Sequence, residues 1–475
     1  MIGSPLQILS LWLRGLVAVA VLLVSLFCWR EWYERAAVRT DANGAEIRED
    51  RRTDPDAVYR FDPSIGLDLP TTFLAVAALT AAWSLGGGLL LVRLRRRSGD
   101  THDNRHLTHD RHGDAKHIHR GDGSNIYTES EGPIDAPVAL LTHGWGANSA
   151  EWNPLRPHLA GRYRVVRWDL PGLGRSEPPR DRDFSLDRMA ADLRLVLEGA
   201  CRAGTPVVLV GHSIGAMITL TFARKYPEVV RDRVAGVCLA HGTYTNPLRT
   251  YDKSHRYLRL QKPVIEPLCY ASIPLAPVLQ GLTWLSYLNG SAHRSTERSG
   301  FSGRESWRQL DFAARFTPRA PIAAVARGVL AMLHWDAADA PAHLPCPVLL
   351  WAGEADPTTC PQASQDMHVR IPRSELHTHP TAKHLGPIEF PAEFATRLLD
   401  FADTVFKDRI PEHRTLITPP PPRVPNRTVG TRAPGATDDA ESVKTAPDRT
   451  SEPATDAARA FEVPGPRRDD GHPGG

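Results

Sequence analysis

The stretch Val207-Val208-Leu209-Val210-Gly211-His212-Ser213-Ile214-Gly215-Ala216 decides the reading of this chain. A short apolar strand runs straight into a G-x-S-x-G turn, and Ala216 to Lys225 then reads as a helix. A serine on a tight strand-to-helix turn is held with its hydroxyl projecting from the end of a sheet. Gly211 and Gly215 leave room for the close backbone approach such a turn forces. The five-residue pattern alone is common, and its glycines and serine could be ordinary turn residues. The strand before it and the helix after it give this copy its weight.

Further along, Pro347-Val348-Leu349-Leu350-Trp351-Ala352-Gly353-Glu354-Ala355-Asp356 reads as a buried strand ending in an acidic loop. Lys383-His384-Leu385-Gly386-Pro387-Ile388-Glu389-Phe390-Pro391 follows a short strand around Leu376 to His379, and a helix from Ala392 to Phe406 comes next. Ser213, Asp356 and His384 thus each stand just after a predicted strand. Parallel strands gather such loops at one edge of a sheet. Upstream, Leu140-Leu141-Thr142-His143-Gly144-Trp145-Gly146 is a strand running into a glycine loop. Arg167-Trp168-Asp169-Leu170-Pro171-Gly172-Leu173-Gly174-Arg175-Ser176 is another.

From about Gly123 to Lys407 the chain resembles the α/β-hydrolase family, and these four segments carry the resemblance. They are similar to that family's H-G-x-G loop, its D-x-P-G-x-G-x-S loop, its nucleophile elbow and its G-H-x-x-x-x-E-x-P segment. Lys383 departs from the last by standing where glycine is usual. The resemblance implies an α/β fold: a mostly parallel sheet with helices on both faces and a helical cap. It also implies a chain order of nucleophile, acid, base. Ser213 is then the nucleophile, His384 the base and Asp356 the residue that orients and stabilises the imidazolium. The oxyanion hole is expected from the backbone N–H groups of Ile214 and Trp145.

Each role has competitors. Glu354 rivals Asp356 as the acid. Some family members place the acid after the preceding strand, but Val234 to Leu239 ends in Ala240-His241-Gly242-Thr243, without a carboxylate. His377 and His379 rival His384 but lie within a predicted strand, where packing or surface roles are expected. His143 reads as a residue shaping the oxyanion loop. A serine at the elbow argues against chemistry that uses an aspartate nucleophile.

Inside this region strands alternate with helices: Val138 to Thr142, Arg164 to Asp169, Pro206 to Val210, Val234 to Leu239, Val348 to Trp351. Leu186 to Leu197 has the spacing of an amphipathic crossover helix. Residues 246–335 interrupt the alternation as a cap. Within it, Pro263 to Asn289 carries one charge, Glu266, and its prolines (Pro263, Pro267, Pro274, Pro277) argue against a straight membrane span. That apolar stretch reads either as cap core or as an acyl-chain or membrane-facing surface.

The chain has 475 residues and a net charge of +3, too little to argue for nucleic acid as a partner. Its six cysteines have no framework spacing, which fits a reducing compartment. Two N-terminal stretches, within residues 1–32 and 69–92, are apolar enough for transmembrane helices. Trp12, Trp29 and Trp32 suit the interfaces of the first. A cleaved signal peptide is the alternative there, but Cys28-Trp29-Arg30-Glu31-Trp32 is too bulky for a cleavage site. Residues 33–68 form the loop between spans. The cluster Arg93, Arg95, Arg96, Arg97 suggests a cytoplasmic position for the following domain, although the loop from Arg30 to Asp68 also carries several arginines, mixed with acids.

Residues 93–122, rich in histidine and arginine, read as a linker merging into the first strands. His102, His106, His109, His112, His117 and His119 match no standard metal spacing. Residues 123–408 form the hydrolase-like domain, and 409–475 a Pro-rich tail that cannot bury enough apolar surface to fold.

The expected function is hydrolysis of a carboxylic ester, lipophilic or acyl-lipid, by a membrane-anchored enzyme needing neither metal nor organic cofactor. Acyl transfer, or amide, thioester or carbon–carbon cleavage, would use the same three residues. A non-catalytic membrane receptor on the same fold is the reading from another class. Physiological substrate and oligomeric state are not legible.

Overall fold

The computed structural model describes residues 5–35, 38–40, 46–48, 69–95, 105–250 and 254–409. The proline-rich tail, most of the loop between the apolar helices and residues 96–104 of the linker lie outside the described residues.

Eight strands form one sheet: β1 (Asp114–His119), β2 (Asn125–Glu131), β3 (Val138–Thr142), β4 (Arg164–Trp168), β5 (Val207–His212), β6 (Val234–Ala240), β7 (Val348–Gly353) and β8 (Ser374–His379). Their order is β8-β7-β6-β5-β3-β4-β2-β1. β3 through β8 pair in parallel, while β1 and β2 add antiparallel at one edge. β3, β5, β6 and β7 are buried along their whole length. That explains their unbroken apolar runs, since a parallel sheet covered on both faces leaves no polar side.

The alternating side chains of each strand go to two cores. Leu140, Leu209 and Val237 face Met189 and Leu193 of α4 (Leu186–Ala200). Leu141, Val208, Val210 and Trp351 face Phe394, Leu398 and Phe401 of α11 (Pro391–Arg409). The helix start of α4 is marked by Ser185, whose hydroxyl accepts from the Arg188 N–H at 3.2 Å.

The sheet begins at Asp114, inside the stretch read as linker. β1 and β2 escape a hydropathy reading because β1 is an exposed edge strand with only Ile118 buried. His109, upstream of it, packs tilted against Phe312 and edge-on to Phe316, and lies 3.0 Å from the Phe312 carbonyl oxygen. Burial, helped by Arg319, pushes its pKa down to about 4, so it packs there as a neutral ring.

Two N-terminal elements are long and apolar enough to cross a membrane. α1 (Pro5–Arg35) contains the window Gly15–Glu34. α2 (Leu69–Ala82) continues through a π turn, Trp83–Gly87, into α3 (Gly88–Arg95), with the window Thr71–Leu90. Both windows have a mean hydropathy of 1.7. The Ser25 hydroxyl donates to the Ala77 carbonyl at 2.7 Å, joining the two helices near the middle of each window.

The cap is helical. α5 (Ile214–Lys225) is the elbow helix. After β6 come α6 (Ser254–Leu260), a π turn Gln261–Ile265, α7 (Glu266–Ser272), α8 (Ala276–Leu288), α9 (Trp307–Ala314) and α10 (Ile322–Leu333). The segment from α6 through α7 meets α8 at a bend of 97°. The prolines locate the breaks. Pro267 and Pro277 stand in the first turns of α7 and α8, where a missing N–H costs nothing, while Pro263 sits in the π turn.

Candidate active site

Because β5 to β8 are parallel and in register at their ends, their following loops meet at one sheet edge. His212 pairs with Ala240, Ala240 with Trp351, and Gly353 with His379. Ser213 follows β5, His241 follows β6, Asp356 follows β7 and His384 follows β8.

Ser213 has φ +56° and ψ −115°, a conformation that costs a non-glycine residue about 1–3 kcal/mol. Its N–H donates to the Ala240 carbonyl at 2.9 Å, which helps hold the turn. Both flanking glycines are obligatory. A Cβ on Gly211 would lie 2.4 Å from the Gly215 carbonyl carbon, and one on Gly215 would lie 2.4 Å from the Thr142 oxygen.

Ser213 Oγ is 3.0 Å from His384 Nε2, and His384 Nδ1 is 2.9 Å from Asp356 Oδ2. Asp356 is buried and its other oxygen accepts from the N–H groups of Thr358 at 2.7 Å and Thr359 at 3.2 Å. Burial works against its charge, but His384 and the hydrogen bonds from His241 and His384 outweigh it. Its pKa is held far below the usual carboxylate range. Glu354, the rival acid, is exposed. His377 and His379 turn to Glu393, at 3.0 and 3.3 Å, and pack on Trp351.

The glycine loop after β3 is held from behind. His143 Nε2 accepts from the Leu170 N–H at 2.9 Å, which leaves its Nδ1–H to donate to the Gly144 carbonyl at 2.8 Å. Trp145 donates its indole N–H to the Val325 carbonyl of α10 at 3.0 Å, and its ring lies so close to Gly328 that a Cβ there would come within 2.0 Å. Ile214 opens α5, so its N–H is one of the first-turn donors that a helix leaves without an internal partner.

Two features escaped the sequence reading. His241 is wholly buried at φ +49°, with Nδ1 2.7 Å from Asp356 Oδ2, the same oxygen that faces His384. Burial pushes its pKa down to about 4, so it is neutral and donates Nδ1–H to the carboxylate. The second feature is a buried pair. Glu151 Oε1 lies 2.5 Å from His212 Nδ1, while Glu151 Oε2 accepts from the Gly144 N–H at 2.7 Å. His212 Nε2 is 2.9 Å from the His384 carbonyl oxygen. One carboxylate and one imidazole thus tie together the glycine loop, the elbow strand and the histidine loop. Burial disfavours the imidazolium of His212, but Glu151 overrides it and raises its pKa. His212 fills an unspecified position inside Gly-His-Ser-Ile-Gly, and Glu151 lies past the end of the glycine-loop motif.

Among the described residues, His241, Asp356 and His384 also form the one group with metal-ligand atoms within 4.8 Å of one another. Their separations of 2.7 and 2.9 Å are hydrogen-bond distances, which hold protons rather than an ion between them.

The sequence profile of the alpha/beta hydrolase family matches residues 139–397, and the chain belongs to that family. It is 40% identical over 106 residues to the magnesium-chelatase 30 kDa subunit of Rhodobacter capsulatus, covering 22% of this chain and 36% of that protein. It is 37% identical over 92 residues to the pimeloyl-[acyl-carrier protein] methyl ester esterase of Aeromonas hydrophila subsp. hydrophila, covering 19% of this chain and 34% of that one. The matches thus span about a third of the length of these curated relatives. Among solved structures, lip1 of Acinetobacter baumannii AYE superposes with a TM-score of 0.50 at 19% identity, over 62% of this chain and 92% of that one, a likeness of fold.

Proposed function

We propose that this protein is a membrane-anchored serine hydrolase that cleaves a carboxylic ester through an acyl-enzyme. The observation that carries this reading is the line of contacts from Ser213 Oγ through His384 to Asp356, at 3.0 and 2.9 Å. As the serine oxygen attacks the ester carbonyl, His384 Nε2 takes its proton and then passes it to the departing alkoxide. Asp356 keeps Nδ1 protonated and stabilises the imidazolium that forms. Water repeats the cycle in reverse, His384 taking its proton as it attacks the acyl-enzyme. The N–H groups of Ile214 and Trp145 receive the oxyanion; losing one such donor typically costs about 100- to 1,000-fold in rate.

An ester, rather than an amide, is supported by the curated esterase relative. The two apolar N-terminal helices support anchoring, and the arginines that follow the second support a cytoplasmic domain. A lipophilic acyl group is supported by the apolar cap.

The test is steady-state and pre-steady-state hydrolysis of p-nitrophenyl esters of increasing acyl length by the full chain in detergent. A burst of nitrophenolate stoichiometric with enzyme, rising in efficiency from acetate to longer acyl groups, is expected. No hydrolysis of any ester by folded protein would overturn the reading. An added alcohol that captures the acyl group better than water would turn it into acyl transfer.

A further inference from the structure

The bend between α7 and α8 presents an apolar face that no part of the described protein covers. Tyr270 is 56% exposed, Leu275 53% and Val278 66%, and Trp284 and Leu288 continue the face along α8. Pro274 and Pro277 are exposed between them. Glu266, the lone charge of this stretch, is turned away from it, accepting from Gln261 at 2.9 Å and facing His334 at 3.1 Å. A soluble domain rarely leaves such a continuous surface open.

What covers it follows from where α8 is fastened. A Cβ on Gly15 of α1 would fall 2.8 Å from Leu282 Cβ, so α8 packs directly on the first membrane-length helix. At its far end, a Cβ on Gly88 would fall 1.8 Å from the Asn289 oxygen, and one on Gly290 would fall 2.5 Å from the Gly88 carbonyl carbon. Gly15 opens the first apolar window and Gly88 nearly closes the second. In a hairpin joined at Ser25 and Ala77 these two glycines lie at the same end. Backbone meets backbone there, which only glycine allows. Any bilayer that takes up α1 to α3 therefore meets α8 at that end.

Resting on the membrane-anchored esterase reading, we propose that the α7–α8 bend of the cap is itself seated in the lipid bilayer, so that the ester reaching Ser213 is one dissolved in that bilayer by its acyl chain. The occupant of the exposed face is lipid acyl chain. The same cap touches the reacting end of the site. Gln280 of α8 donates to the Pro318 carbonyl at 2.7 Å and accepts from the Ile322 N–H at 3.2 Å, at the start of α10. α10 in turn holds the Trp145 indole through the Val325 carbonyl.

The experiment uses the full chain in phosphatidylcholine nanodiscs, with a bimane label on Val278→Cys and a control label on the exposed Glu228→Cys, each against the unsubstituted protein. Doxyl-labelled lipid should quench the label at 278 and not the one at 228; aqueous iodide should do the opposite. In parallel, Leu275→Glu/Val278→Glu should lower the ratio of turnover of a bilayer-dissolved long-chain ester to that of aqueous p-nitrophenyl acetate at least tenfold. Quenching at 278 by iodide and not by doxyl lipid would overturn the proposal, as would an unchanged ratio. If wild type cleaves neither ester, the esterase reading fails, while the quenching result still decides the placement of the bend.

Discussion

The loops at the sheet edge and the outer face of the cap are built on opposite terms. At the sheet edge the acid is held by directional bonds: Asp356 alone faces two imidazoles, two backbone N–H groups and the Thr359 hydroxyl. On the α7–α8 face, five large apolar side chains are at least 42% exposed. Directional bonds fix positions to within a few tenths of an ångström, as proton transfer needs. Apolar exposure fixes no position and only selects a surrounding medium. The first region should therefore fail sharply when one atom is changed, and the second gradually as its character changes.

The sharpest break is expected at the acid. Asp356→Asn removes the charge that holds the imidazole and should lower kcat by roughly 10,000-fold with the fold intact, as measured by ester turnover beside circular dichroism. A loss below tenfold would mean that Asp356 does not orient His384.

Next is the buried pair. Glu151→Ala strands His212 without its partner and frees the Gly144 N–H, at a cost of about 3–5 kcal/mol. Urea unfolding followed by fluorescence should register that cost, and a change under 1 kcal/mol would show the pair to be structurally idle.

His241 sharpens the comparison through pH. Its folded pKa is about 4 against 6.5 for a free histidine, so the unfolded chain binds a proton in that interval that the folded chain refuses. Stability from this group is thus complete above pH 6.5 and falls by about 3 kcal/mol on acidification to pH 4. Asn tolerates a left-handed backbone and can still donate to Asp356. His241→Asn should keep most of the activity and flatten that part of the stability–pH curve, whereas His241→Ala should lose activity as well. An Asn variant with the wild-type slope would locate the titration elsewhere.

The smallest effect is expected where cap meets loop. Gly328→Ala drives a methyl into the Trp145 ring and should destabilise by about 1–3 kcal/mol. Displacing Trp145 should also lower kcat, by up to about 100-fold, with little change in KM. Unchanged kinetics would separate the cap from any catalytic role of the Trp145 loop.

Legibility in the sequence divides along the same line. Ser213 and its loop were readable because strand, tight turn and helix are all local, and a buried parallel strand announces itself as an apolar run. Strands β1 and β2 were not: β1 is an exposed edge with only Ile118 buried, and β2, though paired on both sides and buried along its middle, carries the polar run Thr128-Glu129-Ser130-Glu131. His241 stands 115 residues from Asp356, and Glu151, in a short helical turn after β3, faces a histidine at the end of β5, so neither contact leaves a local trace. A solitary buried histidine has many uses, and only the register of β6 against β7 brings this one to Asp356. The bend at α7–α8 was foreshadowed by its prolines. The exposure of its face was not, since buried and lipid-facing apolar residues read alike.

The most direct test of the central claim is labelling of the detergent-solubilised full chain with a fluorophosphonate probe, wild type beside Ser213→Ala and His384→Ala. An activated serine at the elbow predicts strong labelling of wild type and loss of it in both variants. Folded wild type that takes no label, or labelling that survives Ser213→Ala, would contradict the account.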